Sequence, residues 1–208
     1  MDVAKPRSRR EQRNQATREQ ILRAAAELFS RQGYQGTSLD DLVERANLAR
    51  GTLYYHFPGK EDIVLALGQE STRQIAEAFE ERLSAGERAI ALLGDVLESF
   101  ARTAVAQPEI SRVYILTGLA RIEDLTADRE RPSFSRLLVR LIAAGQEQGD
   151  VRSDVPAQVL GTLLAMQAIT GVLLGLRSPA VLPAQLRALV DLFLDGARAG
   201  KVPRARRK

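Results

Sequence analysis

The chain has 208 residues, of which 45% are hydrophobic and 27% charged, a balance typical of a globular protein with a substantial core. It contains no cysteine and one histidine, which excludes a disulfide framework, a zinc finger, thiolate catalysis and a cluster of histidine metal ligands. The formal charge of +4 is unevenly distributed, because residues 1–20 carry six basic and three acidic side chains, and residues 201–208 carry five basic and no acidic ones. The residues between these ends therefore carry a net charge of −4.

The first predicted helix spans about residues 17–32, and its apolar stripe recurs at helical spacing: Ile21, Leu22, Ala25, Leu28 and Phe29. Gly33 is placed to end this helix, since glycine adopts the left-handed conformation of a helix C-terminus. Residues 1–16 are predicted to form a basic flexible arm. No apolar run follows the basic start of this arm, so we expect a cytoplasmic rather than a secreted protein.

Two short helices joined by a tight turn come next. Thr37 or Ser38 is placed to cap the first of them, and Asp41 has the spacing of a capping box with Ser38. Asn47 tolerates the left-handed backbone that a tight turn needs. A second helix, at about residues 49–57, is ended by the Pro58-Gly59 pair. This spacing is typical of a helix–turn–helix unit, whose second helix lies in a major groove of DNA.

The second helix carries side chains suited to DNA. Arg50 can pair bidentately with a guanine edge, and Gly51 allows a close approach of the backbone. Lys60, at the start of the next helix, is predicted to bind a phosphate. The alternative is that Tyr54, Tyr55 and Phe57 are core aromatics of a small three-helix unit. The predicted DNA-contacting residues are Thr37, Ser38, Arg50, Gly51, Thr52, Tyr54, Tyr55, His56 and Lys60.

These motifs resemble the signature of the TetR-type (TetR/AcrR) helix–turn–helix transcriptional regulators. The resemblance covers roughly residues 18–67 and rests on Gly33-Tyr34, Thr37-Ser38, the run from Arg50 to Phe57, and Lys60-Glu61. The chain departs from the pattern at Asn47, where glycine is usual, at Ala49, where a polar cap is usual, and in the order Tyr54-Tyr55-His56. The resemblance implies an all-α homodimer that represses transcription at a near-palindromic operator and is released by a small hydrophobic or amphipathic effector.

The rest of the chain is predicted to be helical throughout, with about nine helices in all and no alternating pattern that would indicate strands. A fourth helix spans about residues 60–84, and later helices lie near 86–106, 109–120, 132–148, 155–176 and 183–198, with a charged break at 121–131. The predicted domains are a DNA-binding domain at 17–67 with the fourth helix as connector to about 84, a ligand-binding and dimerisation domain at 85–200, and a basic tail at 201–208.

The two basic ends have alternative interpretations. Residues 5–10 either add phosphate or minor-groove contacts to those of the helix–turn–helix unit, or they form a solvated tail. For residues 201–208 a solubilising tail is favoured over a DNA contact.

The segment 155–176 has no charged residue in 22 positions. That length could span a bilayer, but a helix that is apolar all round is also typical of a buried central helix. We expect this helix and the amphipathic final helix to pair with their symmetry mates as a four-helix bundle. The predicted interface residues are Leu160, Leu164, Ala168, Gly171, Leu186, Leu189, Val190 and Phe193.

The helices of the second domain are predicted to enclose an effector that shifts the population towards a conformation with mis-spaced DNA-binding units. The candidate ligand-contacting residues are Phe79, Phe100, Thr103, Tyr114, Thr117, Arg121, Phe134, Leu138, Gln167 and Thr170. The alternative is that most of these are ordinary core and surface residues.

The sequence bears on two other function classes. An enzyme would need a base, nucleophile or metal site, and the one histidine already lies in the second helix of the turn motif. Paired acidic residues such as Asp40-Asp41 are more simply solvated or capping groups. No metal and no cofactor is expected. A DNA-binding regulator without a small ligand, or an activator, stays open as the alternative.

Overall fold

The computed structural model describes residues 8–121 and 133–197. The helices in these ranges are α1 (Arg9–Gln32), α2 (Leu39–Arg45), α3 (Arg50–His56), α4 (Lys60–Ser84), α5 (Ala89–Ala106), α6 (Pro108–Ala120), α7 (Phe134–Glu147), α8 (Ala157–Gly175) and α9 (Leu182–Ala197). No β-strand element forms in the described ranges, which confirms the all-α prediction. Residues 1–7 of the predicted arm, most of the break at 121–131 and the tail at 201–208 lie outside them.

Helix α1 begins eight residues earlier than the sequence pattern predicts. Ser8 caps it through a capping box, in which the Ser8 hydroxyl accepts from the Glu11 amide and the Glu11 carboxylate accepts from the Ser8 amide. Apolar periodicity starts only near Ile21, so the polar turns before it carry no stripe that a sequence search would detect. The prediction of a flexible arm was therefore wrong for residues 9–16, which are helical.

Helices α1 to α3 and the first half of α4 share one small core. Its central side chains are at most 3% exposed: Ile21, Ala25, Phe29, Leu42, Leu53, Phe57, Ile63 and Val64. Each helix supplies an apolar face to this core, as the periodicity predicts. The core holds α3 from its inner side and leaves its outer side to solvent.

Helix α4 extends from this small core into a second, larger one. Its bounds agree with the predicted 60–84, and its length is about 37 Å at 1.5 Å per residue. Helix α6 lies directly against α4, where the Tyr114 ring covers Gly68; a Cβ at Gly68 would come within 2.3 Å of that ring. Tyr114 packs against both cores, so α4 and α6 together join them.

The larger core is formed by α5, α7, α8 and α9, with Phe79 of α4 and Ile115 of α6. Helix α8 packs closely on α7, because Gly161 faces the Val139 backbone and a Cβ there would lie 2.6 Å from the Val139 Cα. Ala165 and Ala168 are buried on the same side of α8. Small residues thus let the two backbones approach.

Five of the eight predicted dimer-interface residues are buried within the protomer and are not available to a second copy. The predicted residues that are at most 9% exposed lie inside the protomer's own core: Leu160, Leu164, Ala168, Leu186 and Val190. Gly171, Leu189 and Phe193 are half-buried in the protomer. Because α8 is apolar all round, its sequence pattern does not distinguish an inner from an outer face.

The outward faces of these two helices carry an apolar stripe of their own: Val159, Leu163, Met166 and Leu174 on α8, and Leu192 on α9, each between 46% and 74% exposed. By length and composition α8 could cross a membrane, with a mean hydropathy of 1.7 and a third of its most apolar window buried in the protomer. A core face on one side and an outward apolar stripe on the other explain why no charge interrupts it.

Candidate nucleic-acid interface

The turn between α2 and α3 has the geometry that its residues predict. Ser38 caps α2 in a capping box with Asp41. Asn47 has a φ of 48°, in the left-handed region that asparagine tolerates. Ala49 precedes α3 and makes no side-chain cap hydrogen bond, which forfeits about 1 kcal/mol. The fully buried Leu42 and Leu53 instead hold the two helices against the small core.

The outer side of α3 is a row of solvent-facing groups. Arg50 and Gly51 are exposed, and the side chains of Tyr54 and Tyr55 are 39% and 69% exposed. A Cβ at Gly51 would meet nothing within 4 Å, so this point of the helix is open to a partner. The two tyrosines are therefore surface groups and not core aromatics, whereas Phe57 is buried.

Arg50 is held in place by two weak contacts. Its guanidinium lies 3.4 Å from the Asp40 carboxylate of α2 and 5.8 Å from the centre of the Tyr54 ring. A hydrogen bond with Tyr54 and then the charge of Asp40 raise the pKa of Arg50 above its usual value, so the group stays charged. Both partners of the ion pair are more than 60% exposed, so the pair is easily exchanged for a base or a phosphate.

Grooves separate the first turns of α1 from the outer side of α3. One has a volume of about 380 Å³ and is lined by Arg10, Arg13, Asn14, Thr17, Gly51, Thr52, Tyr55 and His56. A neighbouring groove of about 360 Å³ includes Glu11, Gln15 and Arg18. The α1 residues of these grooves carry no individual signal in the sequence, because their neighbours across the groove are more than thirty positions away in the chain.

His56 lies at the end of α3 between these grooves. The Tyr55 ring meets its imidazole edge-on, with the ring centres 5.2 Å apart. Partial burial, and then the nearby charge of Arg18, lower the pKa of His56 below its ordinary value of 6.5. The imidazole of the free protein is therefore neutral at pH 7.

Two predicted DNA contacts have structural partners instead. Thr37 is 1% exposed, and its hydroxyl donates to the Gly33 carbonyl at 2.8 Å, so it offers no exposed group to DNA. Lys60 donates to the carbonyl oxygens of Tyr34 and Thr37, both at 2.7 Å, and its ammonium lies 4.1 Å from the centre of the Tyr34 ring. Both residues hold the α1–α2 loop. Ser38 is exposed and stays at the interface.

The same loop receives a contact from α6. The Glu109 carboxylate accepts a hydrogen bond from the Tyr34 amide at 3.0 Å, and the Tyr34 hydroxyl donates to Glu61 at 2.7 Å. At the other end of α6, Arg121 forms an ion pair with Asp62, near the start of α4. Helix α6 is thereby tied to the α3 support at both ends. Neither Tyr34 nor Glu109 has a local sequence signal for this contact, because they are 75 positions apart.

The candidate effector residues divide into two groups. Phe79, Phe100, Tyr114, Phe134 and Leu138 all belong to the larger core, and the rings of Phe100 and Phe134 stack with centres 4.1 Å apart. The structure thus brings the apolar candidates together.

Most of the polar candidates lie elsewhere. Thr103, Gln167 and Thr170 are exposed, and the Thr103 hydroxyl donates to the Ser99 carbonyl at 3.0 Å. Arg121 is exposed and paired with Asp62, and Thr117 is half-buried. For Thr103, Gln167 and Thr170 the prediction was wrong, because the helix turns that carry them face solvent in the protomer.

A buried polar pair beside the apolar candidates was not predicted. The Tyr114 hydroxyl lies 3.5 Å from the hydroxyl of Thr72, which is 9% exposed and donates to the Gly68 carbonyl. Burial raises the pKa of Tyr114, and the contact with Thr72 partly opposes that effect. Tyr114 therefore keeps its proton and offers a hydroxyl within a mostly apolar region.

Comparisons with known proteins agree with this geometry. The sequence profile of the family described as "Bacterial regulatory proteins, tetR family" matches residues 21–67, the segment that forms α3 and its support. The transcriptional repressor AcnR of Corynebacterium glutamicum is 29% identical over 150 residues, which are 71% of this chain and 76% of that one. The transcriptional repressor Rv1474c of Mycobacterium tuberculosis is 27% identical over 195 residues, 88% of this chain and 94% of its own.

Similarity in fold extends along nearly the whole chain. The structure of Thermus thermophilus FadR, a TetR-family transcriptional repressor in complex with lauroyl-CoA, superposes with a TM-score of 0.76 at 24% sequence identity. The match covers 89% of this chain and 97% of that one. The fold is therefore shared beyond the α1–α3 unit.

Proposed function

Because the chain belongs to the TetR family of bacterial regulators, we propose that it represses transcription by binding operator DNA as a homodimer, with α3 in the major groove. The observation that carries this proposal is the solvent-facing row of Arg50, Gly51, Tyr54 and Tyr55 on a helix that the fully buried Leu53 anchors to the small core. Arg50 supplies a bidentate donor for guanine, and the tyrosine hydroxyls, Thr52 and Ser38 supply donors for phosphates.

We assign DNA binding to residues 17–67, and effector binding and dimerisation to residues 85–200, with α4 as the connector. Two separate cores, joined through α4 and α6, support this division. The protein acts in the cytoplasm, where the operator is.

The homodimer forms through the outward stripes of α8 and α9. Leu163, Met166 and Leu174 are at least half exposed in the protomer, although water is an unfavourable neighbour for such side chains. Two helices from each of two copies bury these stripes as a four-helix bundle. A dimer of helix–turn–helix units binds half-sites roughly 34–36 Å apart, so its operator is a near-palindrome.

The effector is a small hydrophobic or amphipathic molecule that enters the larger core beside α4 and α6. The stacked rings of Phe100 and Phe134, with Phe79 in the same core, supply an apolar wall, and the Tyr114 hydroxyl supplies a polar group. A ligand that separates Tyr114 from Gly68 would displace α6 and, through Glu109, the loop that supports α3. Such a ligand favours a conformation that no longer fits both half-sites.

The test of operator binding is selection of sites from random duplex DNA with the purified protein at near-physiological salt. We expect a near-palindrome whose half-sites are about one helical turn apart. Recovery of no common sequence, with only salt-sensitive binding to all duplexes, would contradict the proposal, because phosphate contacts alone give such behaviour.

The effector is tested separately with the selected operator and lauroyl-CoA as the first probe. A ligand of the folded state raises the temperature of unfolding, and an effector also releases the operator. We expect both effects from at least one member of a series of acyl thioesters and apolar acids. Ligands that raise the unfolding temperature but leave operator affinity unchanged would contradict the release mechanism.

A further inference from the structure

The first two turns of α1 extend beyond the small core that holds the rest of this helix. Residues 9–16 add about 12 Å of helix at 1.5 Å per residue. From Ile21 onward the helix buries Ile21, Ala25 and Leu28. Residues 9–16 are all exposed, so this part of the helix contributes no side chain to the core. Packing therefore does not explain why these turns are there.

The inner face of α1 continues into this extension with a change of chemistry. Successive helical residues are about 100° apart, which places Arg10, Arg13, Asn14 and Thr17 on one face, in line with Ile21. The same four residues line the groove opposite Gly51, Thr52, Tyr55 and His56 of α3. A face that is apolar where it meets the core thus becomes cationic and amide-bearing where it passes α3.

The arginines on this face differ from surface arginines of α4 and α5. On those two helices, Arg73, Arg82 and Arg102 each form an ion pair with a neighbouring carboxylate. In the part of the chain that the structure describes, Arg10 and Arg13 have no such pair. The acidic residue between them, Glu11, has its carboxylate on the Ser8 amide at the start of the helix. The charge of the two guanidinium groups is therefore available to an anion.

We propose that Arg10 and Arg13, with Asn14 and Thr17, form a second phosphate-binding site, which holds the DNA backbone beside the groove that α3 enters. The inference rests on the proposed operator binding and adds a site outside the helix–turn–helix motif. Guanidinium groups bind phosphate oxygens bidentately, and the Asn14 amide and Thr17 hydroxyl add neutral donors. These contacts position the protein without selecting a base, so they raise affinity for all sequences alike.

The experiment compares the double variant Arg10→Ala/Arg13→Ala with the wild-type protein on the selected operator. The logarithm of the binding constant is measured against the logarithm of salt concentration. Each phosphate contact contributes about 0.9 to the slope, so loss of two contacts in each protomer should flatten it by about 3 to 4. The selected sequence should stay the same. Hydroxyl-radical footprinting should show loss of backbone protection at the flanks of both half-sites.

The matched control is Arg23→Ala/Arg112→Ala, which removes the same charge from exposed positions. Arg23 lies on the opposite face of α1 and Arg112 lies on α6. Alanine is the best helix former, so α1 should keep its helix in the test variant, which circular dichroism checks. The control should keep both the slope and the footprint of the wild-type protein.

Two results would overturn the inference, and they are distinguishable. If the wild-type protein selects a palindrome and Arg10→Ala/Arg13→Ala has the slope and footprint of the control, the second phosphate site is wrong while the proposed function stands. If the wild-type protein selects no operator, the proposed function fails and this site fails with it.

Discussion

Arg50 illustrates how single residues prepare the surface of α3 for DNA. Its guanidinium is oriented by Asp40 and Tyr54, yet both contacts are at the surface and therefore weak. Its guanidinium already points along the outer side of α3, and little energy is lost when these contacts are given up. In the proposed complex, a strong bidentate contact with a base would replace these two weak surface contacts.

Replacement of Arg50 by alanine should weaken operator binding about tenfold to a hundredfold, because one bidentate base contact is lost. Base preference should relax at one position of each half-site and stay unchanged elsewhere. Titration of a panel of operators with single base changes measures both effects. Arg31→Ala, which removes an exposed arginine at the far end of α1, serves as the control. Retention of full base preference by Arg50→Ala would refute the assigned base contact.

His56 is the one histidine of the chain, so its titration can be isolated. Because the pKa of His56 is lowered in the folded protein, the unfolded chain binds more protons just below pH 6.5. The contribution of His56 to the free energy of unfolding is therefore fully present above pH 6.5 and is lost as the pH falls. The decline between pH 6.5 and 5 should be smaller in His56→Gln than in the wild-type protein. Denaturant titration across this range measures it, and equal declines would contradict the shift.

At the scale of the elements, the α1–α2 loop is part of the structure that supports α3. It receives the ammonium of Lys60 from α4, and the Glu109 carboxylate accepts a hydrogen bond from its Tyr34 amide. The phenol of Tyr34 is bonded in turn to Glu61, and burial together with that bond raises the pKa of Tyr34. The loop is thus held by groups from two other helices, α4 and α6, both of which also reach the larger core.

Replacement of Lys60 by methionine tests this role. Methionine keeps the apolar stem over the Tyr34 ring but removes the donor of two charge-assisted hydrogen bonds, which should lower the free energy of unfolding by about 2 kcal/mol. If Lys60 only bound a phosphate, its replacement would leave the free energy of unfolding unchanged and would flatten the salt dependence of DNA binding. The control is Arg102→Ala, which removes the exposed i,i+4 ion pair with Glu98 on α5. It should change the free energy of unfolding by less than about 0.5 kcal/mol. Chemical denaturation without DNA separates the two roles of Lys60.

The helices themselves were largely predictable. Positions of α2, α3 and α4 follow from caps and breakers that act within a few residues, such as the Ser38–Asp41 box and the Pro58-Gly59 stop. The start of α1 was missed because its first turns have no buried side chain and thus no apolar period. The side of α8 that packs in the protomer core could not be predicted for the opposite reason, since apolar residues surround the whole helix.

For the whole molecule, the proposed assembly depends on the outward stripe of α8 and α9. Glutamate at Leu163 and Leu192 would place two buried charges in each half of the dimer interface, whereas both positions are exposed in the protomer. The double variant Leu163→Glu/Leu192→Glu should therefore fold normally, sediment as a monomer and lose most of its operator affinity. Analytical ultracentrifugation and circular dichroism measure assembly and folding.

The control for assembly is Leu116→Glu, an exposed position on α6 that does not belong to the stripe. It should sediment like the wild-type protein. A wild-type protein that is monomeric at micromolar concentration, or a stripe variant that stays dimeric, would contradict this interface. The outcome also bears on the operator, because a monomer binds one half-site and not a palindrome.

Local interactions let the sequence by itself determine the α2–turn–α3 unit, the family resemblance and the all-helical fold. A capping box, a left-handed Asn47 and a helix stop each involve neighbours a few positions apart, so their residues carry the information directly. Tertiary structure alone decided that Thr37 is buried, that Lys60 binds two loop carbonyls and that Leu163 rather than Leu164 faces outward. These outcomes depend on which distant segment packs beside each residue, and a helix with apolar residues on every side is compatible with either orientation until its neighbours are in place.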